Sequence, residues 1–254
     1  MKPILNISAY LFVPLTDTLA LRESIRSQAA GLALKGTVLL AEEGINLFLA
    51  GEPAKLRAFV DWLHEDTRFA ALGPKESWSD SVPFGKLLVK VKREIIRMNH
   101  PTVRPQAGRA PAVSAKTLAR WLDAGHDDEG RPVVTLDTRN EFEIGHGRFH
   151  KAIDWHITKF SEFPAQVLAH KHELRGKRVV SYCTGGIRCE KAAIFMAEAG
   201  IEHVVQLDGG ILKYFEEVGG QHYDGGCFVF DEREALDPSL RPQTQELRIA
   251  STSD

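Results

Sequence analysis

Cysteine is scarce in this chain of 254 residues: three, at positions 183, 189 and 227. The odd count and the lack of any CxxC pair argue against a disulfide framework and against a paired-cysteine zinc site. Long apolar runs are also missing. No stretch approaches the length of a membrane span, and the opening MKPILNISAYLFVPL has neither a signal-type apolar core nor a small-residue cleavage site. A soluble, cytoplasmic protein without a membrane partner is expected. Charge of one sign is not in excess: 32 Lys and Arg against 34 Asp and Glu leave a net charge of -2. This excludes a global pull toward nucleic acid and leaves only local patches. There is no GxGxxG fingerprint and no evident iron triad, so neither a bound cofactor nor a metal is expected.

What is present suits two domains. Residues 4–13 read as a buried strand. Residues 16–30 read as a helix capped by Thr16 or Asp17. Residues 34–41 and 45–50 are two strands around a hairpin-sized gap at Glu42, Glu43 and Gly44. Pro53 opens a second helix, with Leu56, Phe59, Val60 and Leu63 on one face. A short strand at 75–80 and a final one at 86–96 follow. The order is β-α-β-β-α-β, a ferredoxin-like α+β domain over residues 1–98.

Residues 99–111 (NHPTVRPQAGRAP) carry three prolines and no acid, and read as an extended basic linker. Lys86, Lys90, Lys92, Arg93, Arg97, Arg104 and Arg109 concentrate positive charge there and on the strand before it. That density is either a solvated surface or an RNA-backbone contact. Over residues 112–222, Ser114 caps a helix bearing Leu118, Trp121 and Leu122. Short apolar runs at 133–137, 152–157, 179–183 and 204–208 alternate with helices, which implies an α/β domain with a parallel sheet. Ligands of such sheets sit at the carboxyl ends of the strands, where Asp137 and Cys183 both fall. Residues 223–254 form a C-terminal extension: Cys227 reads as a packed hydrophobe beside Phe228 and Phe230, and 237–254 as disordered.

The densest chemistry lies in residues 178–200, RVVSYCTGGIRCEKAAIFMAEAG. A strand runs into CTGGIR, and a helix follows from Cys189 to a stop at Gly200. A helix start and a nearby cation lower a thiol pKa, so Cys183 reads as a reactive thiolate with Arg188 as its fixed charge. The backbone of Thr184, Gly185, Gly186 and Ile187 would form an anion cradle. Cys189 is either a buried helix residue or a redox partner of Cys183. Asp137 and Arg139 read as a supporting ion pair, with His146 capping a turn.

CTGGIR resembles the active-site loop of rhodanese domains. The longer YCTGGIRCEKA, with GTVLLAEEGIN, PFGKLLVKVKREI, LDTRNEFEIGHGRFHKAI, LDGGILKYFEE and YDGGCFVFDERE, resembles the tRNA uridine(34) hydroxylase family. The resemblance covers roughly residues 4–236. It implies an acylphosphatase-like N-terminal domain, a rhodanese domain, and oxygen-dependent conversion of the wobble uridine of tRNA to 5-hydroxyuridine. Molecular oxygen and an unidentified electron donor would be co-substrates, and a tRNA anticodon stem-loop the partner. Longer members carry a Cys-rich tail, and residues 237–254 are free of cysteine, so no role of that tail is expected of this stretch. The alternative is a sulfurtransferase moving persulfide sulfur to a thiol acceptor. A rhodanese-like phosphatase fits poorly, because only four residues separate Cys183 from Arg188.

Overall fold

The computed structural model describes residues 3–243. The chain divides into two units, Met1–Arg97 with Phe230–Arg233, and Met98–Val229 with the chain from Glu234.

The first unit runs β1 (Ile4–Phe12), α1 (Thr18–Gly31), β2 (Lys35–Ala41), β3 (Gly44–Gly51), α2 (Pro53–Glu65), β4 (Lys75–Ser79) and β5 (Leu87–Val91). Its sheet has the order β4-β1-β3-β2-β5. β1 pairs antiparallel with β3 and β4, and β2 with β3. The ferredoxin-like plan is therefore closed by β4, beside β1. The strand read as final at 86–96 is an added edge, parallel to β2, and it stops at Val91. The chain turns off there because Ile95 is held on both sides. Its amide donates to Glu43 Oε1 at 2.7 Å, and its carbonyl accepts from Asn46 Nδ2 at 3.2 Å. Ile25 and Ala29 of α1 join Leu56, Phe59, Val60 and Leu63 of α2 in one core with the sheet. Asp17 occupies the N-cap position but makes no cap bond; its carboxylate takes Arg68 at 2.6 Å instead.

The second unit runs β6 (Ala112–Val113), α3 (Ala115–Ala124), β7 (Val133–Asp137), α4 (Glu141–Ile144), β8 (Gly147–Phe149), α5 (Phe163–His170), β9 (Arg178–Tyr182), α6 (Ile187–Glu198), β10 (Val204–Leu207), α7 (Gly210–Val218), β11 (Tyr223–Gly225), β12 (Cys227–Phe228) and β13 (Ala235–Leu236). A wholly parallel sheet has the order β6-β10-β9-β7. Ser114 caps α3 through the Thr117 amide at 3.1 Å. Residues 152–157 do not form the expected strand. Ile153 makes one bridge to Leu136, and then Asp154 turns the chain by accepting the His156 amide at 2.7 Å. Residues 99–111, read as a linker, pack within this unit: Val103 and Pro105 are buried, and the His100 ring lies 4.7 Å from that of Phe195. Residues 237–243 are not disordered as expected. Asp237 Oδ1 accepts the Ser239 and Arg241 amides, and the Gln243 amide returns to the Ala235 carbonyl. The rest of that stretch, 244–254, lies outside the described residues.

Candidate functional site

β9 ends at Tyr182, and α6 begins at Ile187, two residues earlier than the sequence pattern indicated. Between them the chain reverses in four residues, which Gly186 permits by taking φ +101° as N-cap. That conformation swings the Gly186 amide back to Cys183 Sγ at 3.1 Å. Ile187, Arg188 and Cys189 thus belong to the first helical turn, and the Arg188 amide also faces the sulfur.

The loop is clamped from the next crossover. The Ile211 amide donates to the Cys183 carbonyl at 2.9 Å, and the Leu212 amide to that of Thr184 at 3.1 Å. Such an approach requires Gly210. A Cβ there would lie 2.4 Å from the Cys183 carbonyl oxygen and 2.8 Å from the Gly186 nitrogen. LDGG is therefore a backing for the loop rather than only a helix start. Thr184 spends its hydroxyl on the Phe228 carbonyl at 3.3 Å. Phe228 meets the exposed Phe142 edge to face at 5.2 Å and the His146 ring at 5.2 Å.

Arg188 is buried, and its guanidinium is forked onto Glu143 at 2.6 and 2.7 Å. Its Nε is buried without a hydrogen-bond partner among the described residues. Glu143 was not singled out from sequence, yet it has a readable signal. Asn140-Glu-Phe-Glu143 is a capping-box spacing, and Glu143 Oε2 accepts the Asn140 amide at 3.1 Å. Glu143 therefore ties α4 to the reactive loop.

Asp137 and Arg139 are fully buried and paired at 2.6 Å, with the Arg139 amide also on Asp137 Oδ1. The same D-x-R turn recurs at Asp66/Arg68 and Asp231/Arg233. Arg139 continues to the Gly147 carbonyl at 2.7 Å, which anchors β8 under the loop's flank. Thr138, between the pair, bonds the Tyr182 carbonyl at 2.9 Å and lies 3.7 Å from Cys189 Sγ.

Burial alone would push the Cys183 thiol upward. The Cys189 thiol that donates to it, the Arg188 charge, and the Arg188 and Gly186 amides outweigh burial and bring Cys183 down to about 5. Burial and the bond it gives Cys183 hold Cys189 well above the ordinary thiol range, and burial pushes Cys227 up to about 12. At neutral pH the site thus holds one thiolate hydrogen-bonded by one thiol. The ultraviolet thiolate band assigned to Cys183, taken as wild type minus Cys183→Ser, should persist from pH 8 and fade only as pH drops through about 5. The folded value lies below the unfolded one near 9, so this group's contribution to stability is complete above 9 and is lost as pH falls toward 5. A band that disappears near pH 8 would contradict the cradle.

Lys86, Lys90, Lys92, Arg93 and Arg97 of the first unit are all exposed, on or flanking its edge strand β5. Arg104 and Arg109, in the second unit, are exposed too, but Arg109 pairs with Glu190 at 2.8 Å and Asp208 at 2.9 Å. Arg109 is therefore partly neutralised. Lysines on an exposed edge also discourage strand pairing, so the charge has a structural use as well. Among the described residues, no helix is long and apolar enough to cross a membrane.

Residues 4–95 match the family described as UPF0176 acylphosphatase like domain, and residues 114–217 match the rhodanese-like domain. Three relatives are named tRNA uridine(34) hydroxylase. The chain is 67% identical to that of Delftia acidovorans over 94% of its own length and 91% of the relative. It is 61% identical to that of Bordetella petrii over 99% and 100%, and 61% identical to that of Variovorax paradoxus over 100% and 97%.

Proposed function

This chain belongs to the tRNA uridine(34) hydroxylase family, and from that membership we propose that it hydroxylates carbon 5 of the wobble uridine of tRNA, using molecular oxygen and a reductant. The observation that carries the chemistry is the Cys183 sulfur held by the Gly186 amide at 3.1 Å and charged by its surroundings. A thiolate adds to carbon 6 of a uracil ring, and carbon 5 then becomes the electron-rich atom that oxygen attacks. The negative charge pushed toward the ring carbonyl needs a fixed donor, and the unpartnered Arg188 Nε supplies one without reorganisation.

Cys183 has no exposed surface, so the base must leave its stack and part of the protein that encloses the sulfur must give way. The exposed Phe142 ring offers that base a stacking face. A sulfurtransferase would use the same loop but would leave the acylphosphatase-like domain without a role.

The test is purified protein with unmodified tRNA and a thiol reductant, read by nucleoside mass spectrometry. 5-Hydroxyuridine should accumulate under air and not under argon. Thiocyanate release from thiosulfate and cyanide with no modified nucleoside would favour the sulfurtransferase.

The basic strip on and flanking β5 is proposed to hold the RNA backbone. Replacing Lys90, Lys92 and Arg93 together by alanine should weaken tRNA binding. It should also flatten the dependence of log K on log salt, by about 0.7–0.9 for each phosphate no longer neutralised. Filter binding across a salt series measures both, and an unchanged slope would assign those side chains to edge protection alone.

A further inference from the structure

Inserting one oxygen atom from molecular oxygen leaves the second atom to depart as water, which requires two electrons and two protons. We propose that Cys183 and Cys189 together are the two-electron donor, closing to a disulfide once per hydroxylation and being reopened by an external dithiol. This rests on the hydroxylase reading above and adds to it the source of the electrons.

The placement of the two sulfurs points to this pairing. Both cysteines are fully buried and free. Gly186 holds both: its amide donates to Cys183 Sγ at 3.1 Å, and its carbonyl accepts the Cys189 amide at 3.0 Å. Thr138 Oγ1 lies 3.7 Å from Cys189 Sγ and bonds the carbonyl of Tyr182, the residue before Cys183, so the Cys189 sulfur sits beside the end of β9 from which Cys183 projects. The opposite protonation preferences of the two suit a nucleophile and a proton source.

The chemistry balances. Uridine, oxygen, the Cys183 thiolate, the Cys189 thiol and one solvent proton become 5-hydroxyuridine, water and one disulfide. Cys183 forms a bond to carbon 6, oxygen bonds to carbon 5, and the adduct is protonated to a hydroperoxide. Cys189 sulfur takes the outer oxygen as the O–O bond breaks, leaving the hydroxyl on carbon 5 and a sulfenic acid on Cys189. Cys183 leaves carbon 6 as the carbon 5 proton departs, and the ring double bond returns. Cys183 then attacks the Cys189 sulfenic sulfur; the S–S bond forms and water leaves. Oxygen is reduced by four electrons, two from carbon 5 and two from the thiol pair.

A single-turnover experiment with reduced protein in excess over tRNA, under air and without added thiol, tests this. Wild type should yield 5-hydroxyuridine and a Cys183–Cys189 cross-link in a ratio near one to one by mass spectrometry. Cys189→Ser should lose at least about tenfold in product under those conditions while remaining folded, and Cys227→Ser should match wild type. Wild-type product without the cross-link, or a full yield from Cys189→Ser without added thiol, overturns the dithiol and leaves the hydroxylase standing. No product from wild type even with dithiothreitol overturns the hydroxylase reading and this proposal with it.

Discussion

Cys183→Ser should abolish 5-hydroxyuridine formation, lowering the rate on the order of 10³-fold or more, while the protein stays folded and still binds tRNA. The expectation follows from position as much as from element type. A serine hydroxyl at the end of β9 would meet the same Gly186 amide, but it would not ionise at neutral pH, so the cradle would hold a neutral group with little nucleophilicity. The size change is small, so the fold should be kept, but the variant should lose at neutral pH the stability that the depressed thiol pKa contributes. tRNA nucleosides from a strain lacking the gene, complemented with either form, give the answer. Persistent 5-hydroxyuridine in the Cys183→Ser strain, with no other route operating, would remove the thiol from the mechanism. Retained tRNA binding by the same variant separates a chemical defect from a folding one.

Glu143→Ala should be the most destabilising change at the site. It leaves the Arg188 guanidinium buried without its fork of 2.6 and 2.7 Å bonds, and breaking one side of a buried pair costs about 3–5 kcal/mol. For a chain of this size that is a fall in melting temperature on the order of 10 °C. It also removes the acceptor of the Asn140 amide, so α4 loosens together with Phe142. Replacing both partners, Glu143→Leu with Arg188→Met, should recover most of the stability, because no buried charge is stranded. The double variant should not recover activity, and its Cys183 thiolate band should move upward, since the Arg188 charge that holds it down is gone. Calorimetry with the ultraviolet titration reads both halves. A Glu143→Ala protein melting within a degree or two of wild type would show that the pair does not hold the loop.

Much of this was legible in the chain because it is written in local terms. Pro53 with the Leu56, Phe59, Val60 and Leu63 face gave α2, and CTGGIR gave a strand, a turn and a helix, since a glycine pair and helix-forming residues act within a few positions. The misreadings share a cause. Residues 152–157 look like a strand by composition, but whether an apolar run pairs is decided by its neighbour and by where an Asx turn intervenes, here at Asp154. The strand expected at 86–96 was read as the final one of the plan, because strand order is set by long-range partners that composition does not reveal. Glu143 and Gly210 were passed over for a similar reason. Each acts on a residue about 25 to 45 positions away, and only the fold brings the Glu143 carboxylate to Arg188 or the α7 amides to the Cys183 carbonyl.

The enclosure of Cys183 bears on the lifetime of the enzyme. A thiolate with so low a proton affinity would, in open solvent, be consumed by stray peroxide and carried to acids that no cellular thiol can reverse. Fully covered, it is shielded kinetically rather than thermodynamically: its reactivity is undiminished, and only its encounter rate is throttled. The protein then discriminates between a proper substrate and an adventitious oxidant by which of them can open the enclosure, so selectivity against self-inactivation resides in access and not in the sulfur.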